Sequence, residues 1–201
     1  MRKTKEDAEK TKADIIEAAI GLFEDAGFEK TSMEAIAQKA GVTRGAIYWH
    51  FDDKAAVLAE IINGEHSKLD VLVAEALSPG SSPFRMLRRL VFSVVDLFYD
   101  DRRFRQFIKI TWYKLSSAAF EDLLVHKSAF VEGFLETMRR LLEQAKENKE
   151  IDAGIDVQQM AFHLSCLING FYRLYFAAPS HARAKKQTAD LFEAVFSSLK
   201  I

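Results

Sequence analysis

The residues whose types and spacing could do chemistry lie in one short stretch, residues 41–51, and that chemistry is recognition rather than catalysis. Gly41 suits the left-handed position that ends a helix, and Thr43 is a good N-cap for the next helix. Val42 and Ile47 have the spacing of a hydrophobic staple, which would fix the angle between the two helices. The stretch therefore predicts the turn and second helix of a helix-turn-helix, whose first turn would enter a major groove.

The outer side of this second helix would carry the contacts to DNA. Arg44 and Thr43 are the candidates for base edges, because an arginine fits guanine O6 and N7, and Gly45 would allow close approach to the groove. Trp49 would wedge against sugar and phosphate. His50 is a further candidate for DNA contact, and packing inside is the favoured alternative for it. The alternative is a solvated helix surface, because short helix-turn-helix patterns also arise by chance.

The composition favours an all-α fold of one or two domains. The 201 residues are 49% hydrophobic and 28% charged, with three prolines and nine glycines, and few segments alternate as strands do. The single cysteine, Cys166, can form no internal disulfide, which fits a reducing cytoplasm. No apolar run approaches the ~18 residues that span a membrane, and the charged N-terminus is unlike a signal peptide. We therefore expect a cytoplasmic protein with no membrane partner.

Net charge gives no support to nucleic-acid binding by itself. The chain carries −1, and its first 54 residues hold nine Lys and Arg against eleven Asp and Glu. Five of those nine cations lie in the first twelve residues, as an N-terminal arm would have them, and Lys39, Arg44 and Lys54 flank the proposed recognition helix. A DNA-binding interpretation must therefore rest on where the cations are placed.

Three further helices position this stretch. One is predicted over residues 8–26 and ends at Gly27, and a second is predicted over residues 33–40. The run Thr31-Ser32-Met33-Glu34 has the form of a capping box that would open the second helix. A long helix from Asp53 to about residue 77 follows, and it would run into the next domain.

The remainder of the chain is helical and rich in aromatic residues. After a turn-rich break at residues 78–83, helices are predicted over 86–98, 104–115, 120–148, 157–176 and 182–199. Most of the aromatic side chains would be ordinary core; the alternative is a cavity lined by rings, with a few polar groups that orient an apolar guest. The candidates for such a ligand site are Phe107, Trp112, Phe130, Phe134, Met138, His163, Cys166, Asn169 and Tyr172.

The last two predicted helices are more apolar than surface helices need to be. They suit a two-fold helix-pair interface, although packing of one helix onto the other would also explain them. The candidate interface residues are Leu164, Leu167, Phe171, Leu174, Phe192, Val195, Phe196 and Leu199.

Little in the sequence points to catalysis. His163 and Cys166 would share a helix face, but no third group that would orient the histidine is evident. The sequence contains no phosphate-binding glycine loop, paired metal ligands or nucleophile elbow. We therefore expect neither an enzyme nor a bound cofactor or metal.

The helix-turn-helix stretch resembles that of TetR-family transcriptional regulators, and within them it is most similar to AcrR-type repressors of multidrug efflux operons. The resemblance rests on the string AGVTRGAIYWHF at residues 40–51, followed by Asp53-Lys54. Upstream it includes Leu22-Phe-x-x-x-Gly27-Phe28, Thr31-Ser32 and Ile36-Ala37. It covers residues 9–69, and the acidic balance of this segment departs from what DNA binding would favour.

The resemblance implies an all-α homodimer with two parts. Residues 9–69 would be a three-helix DNA-binding head with its motif at about 32–51, and residues 70–201 would hold the ligand cavity and the dimer interface. Family positions carried onto this chain place Tyr48 and Lys54 on phosphates, with Thr31 and Ser32 adding contacts from a helix N-terminus. The ligand would change the separation of the two heads and release the operator.

These observations predict a dimeric repressor of double-stranded operator DNA that a small hydrophobic effector releases, controlling an efflux or related transport operon. The alternative is a helical carrier or interaction protein that binds a hydrophobic small molecule without acting on DNA.

Overall fold

The structure is a computed structural model that describes residues 5–77, 80–115, 117–177 and 181–199. Within it, the side chains of residues 117–130 and 181–184 lie outside the description. The described residues form helices and no strand, so the predicted all-α fold is confirmed. The helices are α1 (Lys5–Ala26), α2 (Met33–Ala40), α3 (Arg44–His50), α4 (Lys54–Ala76), α5 (Pro83–Asp100), α6 (Arg102–Tyr113), α7 (Ser117–Glu147), α8 (Val157–Ala177) and α9 (His181–Ser198).

The predicted helices agree with these bounds to within three residues at each end. The largest differences lie at the starts of α1, α5 and α7. α5 begins at Pro83 because proline is well suited to the first position of a helix, where no N–H is needed. Residues 78 and 79 of the predicted break, and the predicted helix stop at Pro179, lie outside the described residues.

The chain divides into two compact units. The head unit comprises Met1–Ser67 and Arg103–Val125, and the body unit comprises Lys68–Arg102 and His126–Ile201. α4 contributes to both units, and α6 belongs almost entirely to the head unit. The sequence places the whole of residues 70–201 in one domain, so the assignment of α6 to the head unit differs from that expectation.

Polar contacts explain why α6 groups with the head unit. Glu24 of α1 accepts hydrogen bonds from Gln106 Nε2 at 2.5 Å and from Lys109 Nζ at 2.9 Å. The backbone N–H of Phe28 donates to the carbonyl of Lys114 at 3.1 Å, just beyond α6. These partners are far apart in sequence, so helical periodicity could not have predicted the attachment.

In the body unit, ring contacts join α5 to α8 and α9, and an exposed ion pair also links α5 to α9. Phe84 and Phe196 meet edge to face with ring centroids 5.8 Å apart, and Arg88 pairs with Glu193 at 2.6 Å. Phe98 lies against the rings of several residues of α8, including Tyr172 at 4.6 Å. Such pairs stabilise a core beyond their buried area by about 0.5–1.5 kcal/mol each.

None of the described helices combines the length and the apolar character needed to cross a membrane.

Candidate nucleic-acid interface

Local caps fix the geometry of α2, the turn and α3. Gly41 adopts the left-handed conformation at φ 68°, and the N–H groups of Gly41 and Val42 donate to carbonyls of the last turn of α2. Thr43 accepts from the N–H of Ala46 at 3.2 Å, which makes it the N-cap of α3. Ile47 is fully buried and fixes α3 to the head unit. The predicted capping roles of Gly41 and Thr43 are therefore confirmed, and the base contact of Thr43 stays a prediction.

The opposite side of α3 is exposed to solvent. Trp49 is 72% exposed and Tyr48 is also exposed, as are Thr43, Arg44 and Gly45. Aromatic side chains of this size are usually at least partly buried, so contact of these two residues with a partner stays a prediction. His50 is half-buried beneath this surface, with its ring edge to face against Trp49 at 4.5 Å.

Two residues before α2 are placed differently from the prediction. The N-cap of α2 is Ser32, whose hydroxyl accepts from the N–H of Ala35 at 3.1 Å, so Thr31 and Glu34 form no capping box. Thr31 is only 4% exposed, and its hydroxyl donates to the carbonyl of Gly27 at 2.8 Å. The predicted contact of the Thr31 hydroxyl with phosphate is thus wrong, because this side chain closes the α1–α2 loop. Ser32 is exposed and stays a predicted contact.

Lys54 also has structural partners. Its Nζ donates to the carbonyls of Phe28, Glu29 and Thr31 at 2.8, 3.0 and 3.1 Å, and it lies 4.5 Å from the ring centroid of Phe28. An ammonium group has three N–H donors, and this arrangement occupies all three. In the DNA-free protein Lys54 therefore fixes the loop that leads into α2, and its contact with phosphate stays a prediction.

We expect Lys54→Ala to lower the free energy of unfolding by about 2 kcal/mol, because three carbonyls, two of them in partly buried hydrogen bonds, would lose a charged donor. The measurement is urea denaturation followed by circular dichroism. Lys30→Ala is the matched control, since Lys30 lies exposed in the same loop and should change stability by less than about 0.5 kcal/mol. Equal stability of the two variants would contradict the structural role of Lys54.

The effector candidates do not form one cluster. Phe107 is buried in the head unit against His66 and Phe104, at 5.9 and 5.8 Å between ring centroids, and Trp112 is partly exposed in the same unit. The body unit contains the others, and the side chain of Phe130 lies outside the described residues. Nothing in these positions tests which candidates contact an effector.

Among the candidates on α8, two face outward. His163 and Cys166 are exposed, so neither side chain lies in the interior of the body unit. The amide Nδ2 of half-buried Asn169 donates to the carbonyl of Ser165 at 2.8 Å, which satisfies that group within the helix. In the part of the chain that the structure describes, no three His, Cys, Asp or Glu side chains are grouped as a metal site requires.

Three candidates line the interior of the body unit or its edge. Met138 is fully buried, Phe134 is half-buried and Tyr172 is buried. Burial raises the pKa of the Tyr172 phenol. Tyr172 combines a buried aromatic ring with a hydroxyl that can donate or accept a hydrogen bond, so it stays a predicted contact for a bound molecule.

The structure corrects most of the predicted dimer interface. Within one chain, Leu164, Phe171, Phe192, Phe196 and Leu199 are buried, so they belong to the core of the body unit. Of the other candidates, Leu167 and Val195 are half-buried and Leu174 is exposed. The periodic apolar stripe was identified correctly, but it faces the chain's own interior.

A second apolar set on the same helices is exposed. Phe162 and Leu174 of α8 are 60% and 68% exposed, and Leu191 of α9 is exposed as well. Leu174 was among the predicted interface residues, whereas Phe162 and Leu191 were not. We call Phe162, Leu174 and Leu191 the outer apolar set.

Comparisons with known proteins agree with the geometry of the head unit. Residues 15–61 match the family model of bacterial regulatory proteins of the tetR family. The chain is 32% identical over 194 residues to the HTH-type transcriptional regulator AcrR of Shigella flexneri, covering 94% of this chain and 89% of AcrR.

Comparison with solved structures extends this similarity over almost the whole chain. The structure of NalD, the secondary repressor of the MexAB-OprM multidrug efflux pump in Pseudomonas aeruginosa, has a TM-score of 0.80 at 28% identity and covers 98% of both chains. A complex of SmeT with triclosan has a TM-score of 0.74 at 25% identity and covers 90% of both chains.

Proposed function

Because this chain belongs to the TetR family of transcriptional regulators, we propose that it is a dimeric repressor that a small hydrophobic effector releases from operator DNA. The regulated genes would encode an efflux or related transport system. The similarity to NalD supports this assignment, since NalD is described as a repressor of a multidrug efflux pump. The similarity to SmeT, which was solved with triclosan, supports a small hydrophobic effector.

One observation carries the DNA-binding part of the proposal. α3 is anchored by buried Ile47 and capped by Thr43, while it presents Arg44, Tyr48 and Trp49 to solvent. An arginine provides a bidentate donor for guanine, and aromatic rings and hydroxyls contact sugar and phosphate. The acidic head is compatible with this function, because specificity comes from base contacts rather than from net charge.

The outer apolar set supports a homodimer through α8 and α9. Each of its residues is large and apolar and lies on the surface of the body unit, so its burial in an interface would be favourable. A two-fold axis would cover the set with a copy of itself. Two heads would then be available for the two half-sites of one operator.

Release follows from linkage. An effector that prefers the arrangement of the two heads that does not fit DNA must weaken operator binding. By linkage, bound DNA weakens effector binding by the same factor. α4 is the connecting element, because it contributes residues to both units. α6 is bound to the head unit through Glu24 and would move with it.

For the effector itself, the chemistry of Tyr172 favours a molecule with a hydrogen-bond acceptor and an apolar body. The rings of Phe98 and Phe171 lie within 4.6 and 4.5 Å of the Tyr172 ring, so the surroundings of the hydroxyl are strongly apolar. Phe134 and Met138 stay predicted contacts on α7.

The direct test is a fluorescence anisotropy titration with the DNA upstream of the chain's own gene and with a scrambled duplex of equal composition. We expect the upstream duplex to bind more tightly by about a hundredfold or more at 150 mM salt. Triclosan, used as the probe, should weaken that binding. Equal binding of the two duplexes would contradict repression, and triclosan binding without any DNA preference would instead support a hydrophobic carrier.

Gly45→Ala separates DNA contact from folding. A Cβ built on Gly45 has no atom within 4 Å, so alanine should leave stability unchanged or raise it by about 0.5 kcal/mol. In the complex, the added methyl would keep α3 from the groove, and operator binding should weaken by about 1–2 kcal/mol, as for a lost base contact. The measurements are a thermal melt and the same anisotropy titration.

Gly64→Ala is the matched control for that variant. Gly64 is an exposed glycine of α4 in the head unit, and its Cβ would also meet nothing within 4 Å. Operator binding should be unchanged in this variant. If both variants bound operator like the wild type, Gly45 would not be at the DNA interface.

A further inference from the structure

An acidic side chain lies on the surface that would meet DNA. Glu34, in the first turn of α2, has Oε1 3.6 Å from Nη2 of Arg44 in α3, and both side chains are more than half exposed. The Arg44 guanidinium carbon also lies 5.6 Å from the ring centroid of Tyr48. The guanidinium is thus bounded by a carboxylate on one side and by an aromatic ring on another.

Stability does not account for this arrangement. An exposed ion pair contributes little to folding, and the hydroxyl of Ser32 already caps α2. An acidic residue in a first helical turn does interact favourably with the helix dipole. That interaction needs no partner on α3, so it leaves the contact with Arg44 unexplained.

The charges give this contact a consequence for DNA binding. A carboxylate beside phosphates opposes the electrostatic attraction that dominates non-specific binding. Phosphate must also compete with Glu34 for the same guanidinium. A guanidinium has five N–H donors on more than one edge, so Arg44 can stay paired with the Glu34 carboxylate while another edge donates to guanine O6 and N7.

We propose that Glu34 is a positioning residue that determines specificity: it directs Arg44 to a base edge and penalises binding to the DNA backbone alone. This inference rests on the proposed function, because it requires that α3 reads an operator. It also gives a role to one of the acidic residues that make the head segment acidic overall.

The test compares Glu34→Gln with Glu17→Gln in titrations with the upstream duplex and the scrambled duplex at several salt concentrations. Glu17 is an exposed residue of α1 in the same unit, so its substitution removes the same charge elsewhere. We expect Glu34→Gln to bind the scrambled duplex about three- to tenfold more tightly, with a salt slope steeper by up to about 0.9. Its preference for the upstream duplex should fall by at least the same factor, whereas Glu17→Gln should keep the wild-type preference.

Repeating the Glu34→Gln substitution in an Arg44→Lys variant shows whether Glu34 acts through Arg44. Arg44→Lys keeps the charge but lacks the planar fork, so adding Glu34→Gln to it should no longer change the preference between duplexes. Titrations with single-base variants of the upstream duplex give a further check. The base pair at which Arg44→Ala loses its preference should also be the base pair at which Glu34→Gln loses its preference. Equal melting temperatures would establish that all variants are folded.

Two results would overturn the inference alone: wild-type preference in Glu34→Gln, or an equal loss of preference in Glu17→Gln. An undiminished effect of Glu34→Gln in the Arg44→Lys background would equally exclude action through Arg44. If the wild type itself did not prefer the upstream duplex, the proposed function would fail, and this inference with it.

Discussion

Leu174→Glu is expected to convert the dimer into monomers and to weaken operator binding by about a hundredfold or more. Leu174 is 68% exposed in the single chain, and the proposed two-fold interface would bury it together with its copy. A charge placed there would have to be desolvated opposite a like charge. Loss of the dimer removes the high effective concentration of the second head, which is worth about 10²–10⁴ in affinity.

Light scattering after size exclusion gives the mass, and the anisotropy titration gives the affinity. Val131→Glu is the matched control, because Val131 is an exposed apolar residue of α7 outside the outer apolar set. The control should stay dimeric and bind operator normally. A dimeric Leu174→Glu variant, or a monomeric Val131→Glu variant, would place the interface elsewhere.

Arg103→Ala should lower the free energy of unfolding by about 2–4 kcal/mol, since it leaves a buried carboxylate without its cation. Glu65 of α4 is only 1% exposed, and its Oε1 lies 3.0 Å from Nε of Arg103 in α6. Because Arg103 is itself partly exposed, we expect the loss of unfolding free energy to be smaller than for a fully buried ion pair. Both residues belong to the head unit, so the pair ties α6 to α4.

Urea denaturation measures this loss, and Arg102→Ala is the control because Arg102 is the exposed neighbour of Arg103 on the same helix. The control should change stability by less than about 0.5 kcal/mol. A double-mutant cycle with Glu65→Gln should show a coupling of at least about 1 kcal/mol. Additive losses would mean that the ion pair contributes nothing beyond its two separate side chains.

Sequence alone sufficed for the helices and for the turn between α2 and α3. Gly41 and Thr43 act on backbone groups within five residues of themselves, so their types already specify where one helix ends and the next begins. The exposure of Tyr48 and Trp49 followed from the burial of Ile47 by helical periodicity alone.

Tertiary structure decided the partners of Lys54 and the attachment of α6. Lys54 binds carbonyls more than twenty residues away, and Glu24 receives Gln106 and Lys109 from α6. A lysine near a DNA-binding motif is equally compatible with phosphate and with carbonyl oxygen. Only the position of the α1–α2 loop selects between them.

The apolar residues of α8 are a second case in which the sequence alone could not predict which side chains are buried. Periodicity groups Leu164, Phe171 and Leu174 together, but the structure buries Leu164 and Phe171 and leaves Leu174 exposed, as it does Phe162. Which of these residues are buried depends on where α5 and α9 pack against α8. That packing cannot be inferred from the sequence of α8 alone. The sequence therefore determined that α8 is a helix with more apolar residues than one buried face needs. The packing of its neighbours determined which of those residues stayed exposed and available to a partner.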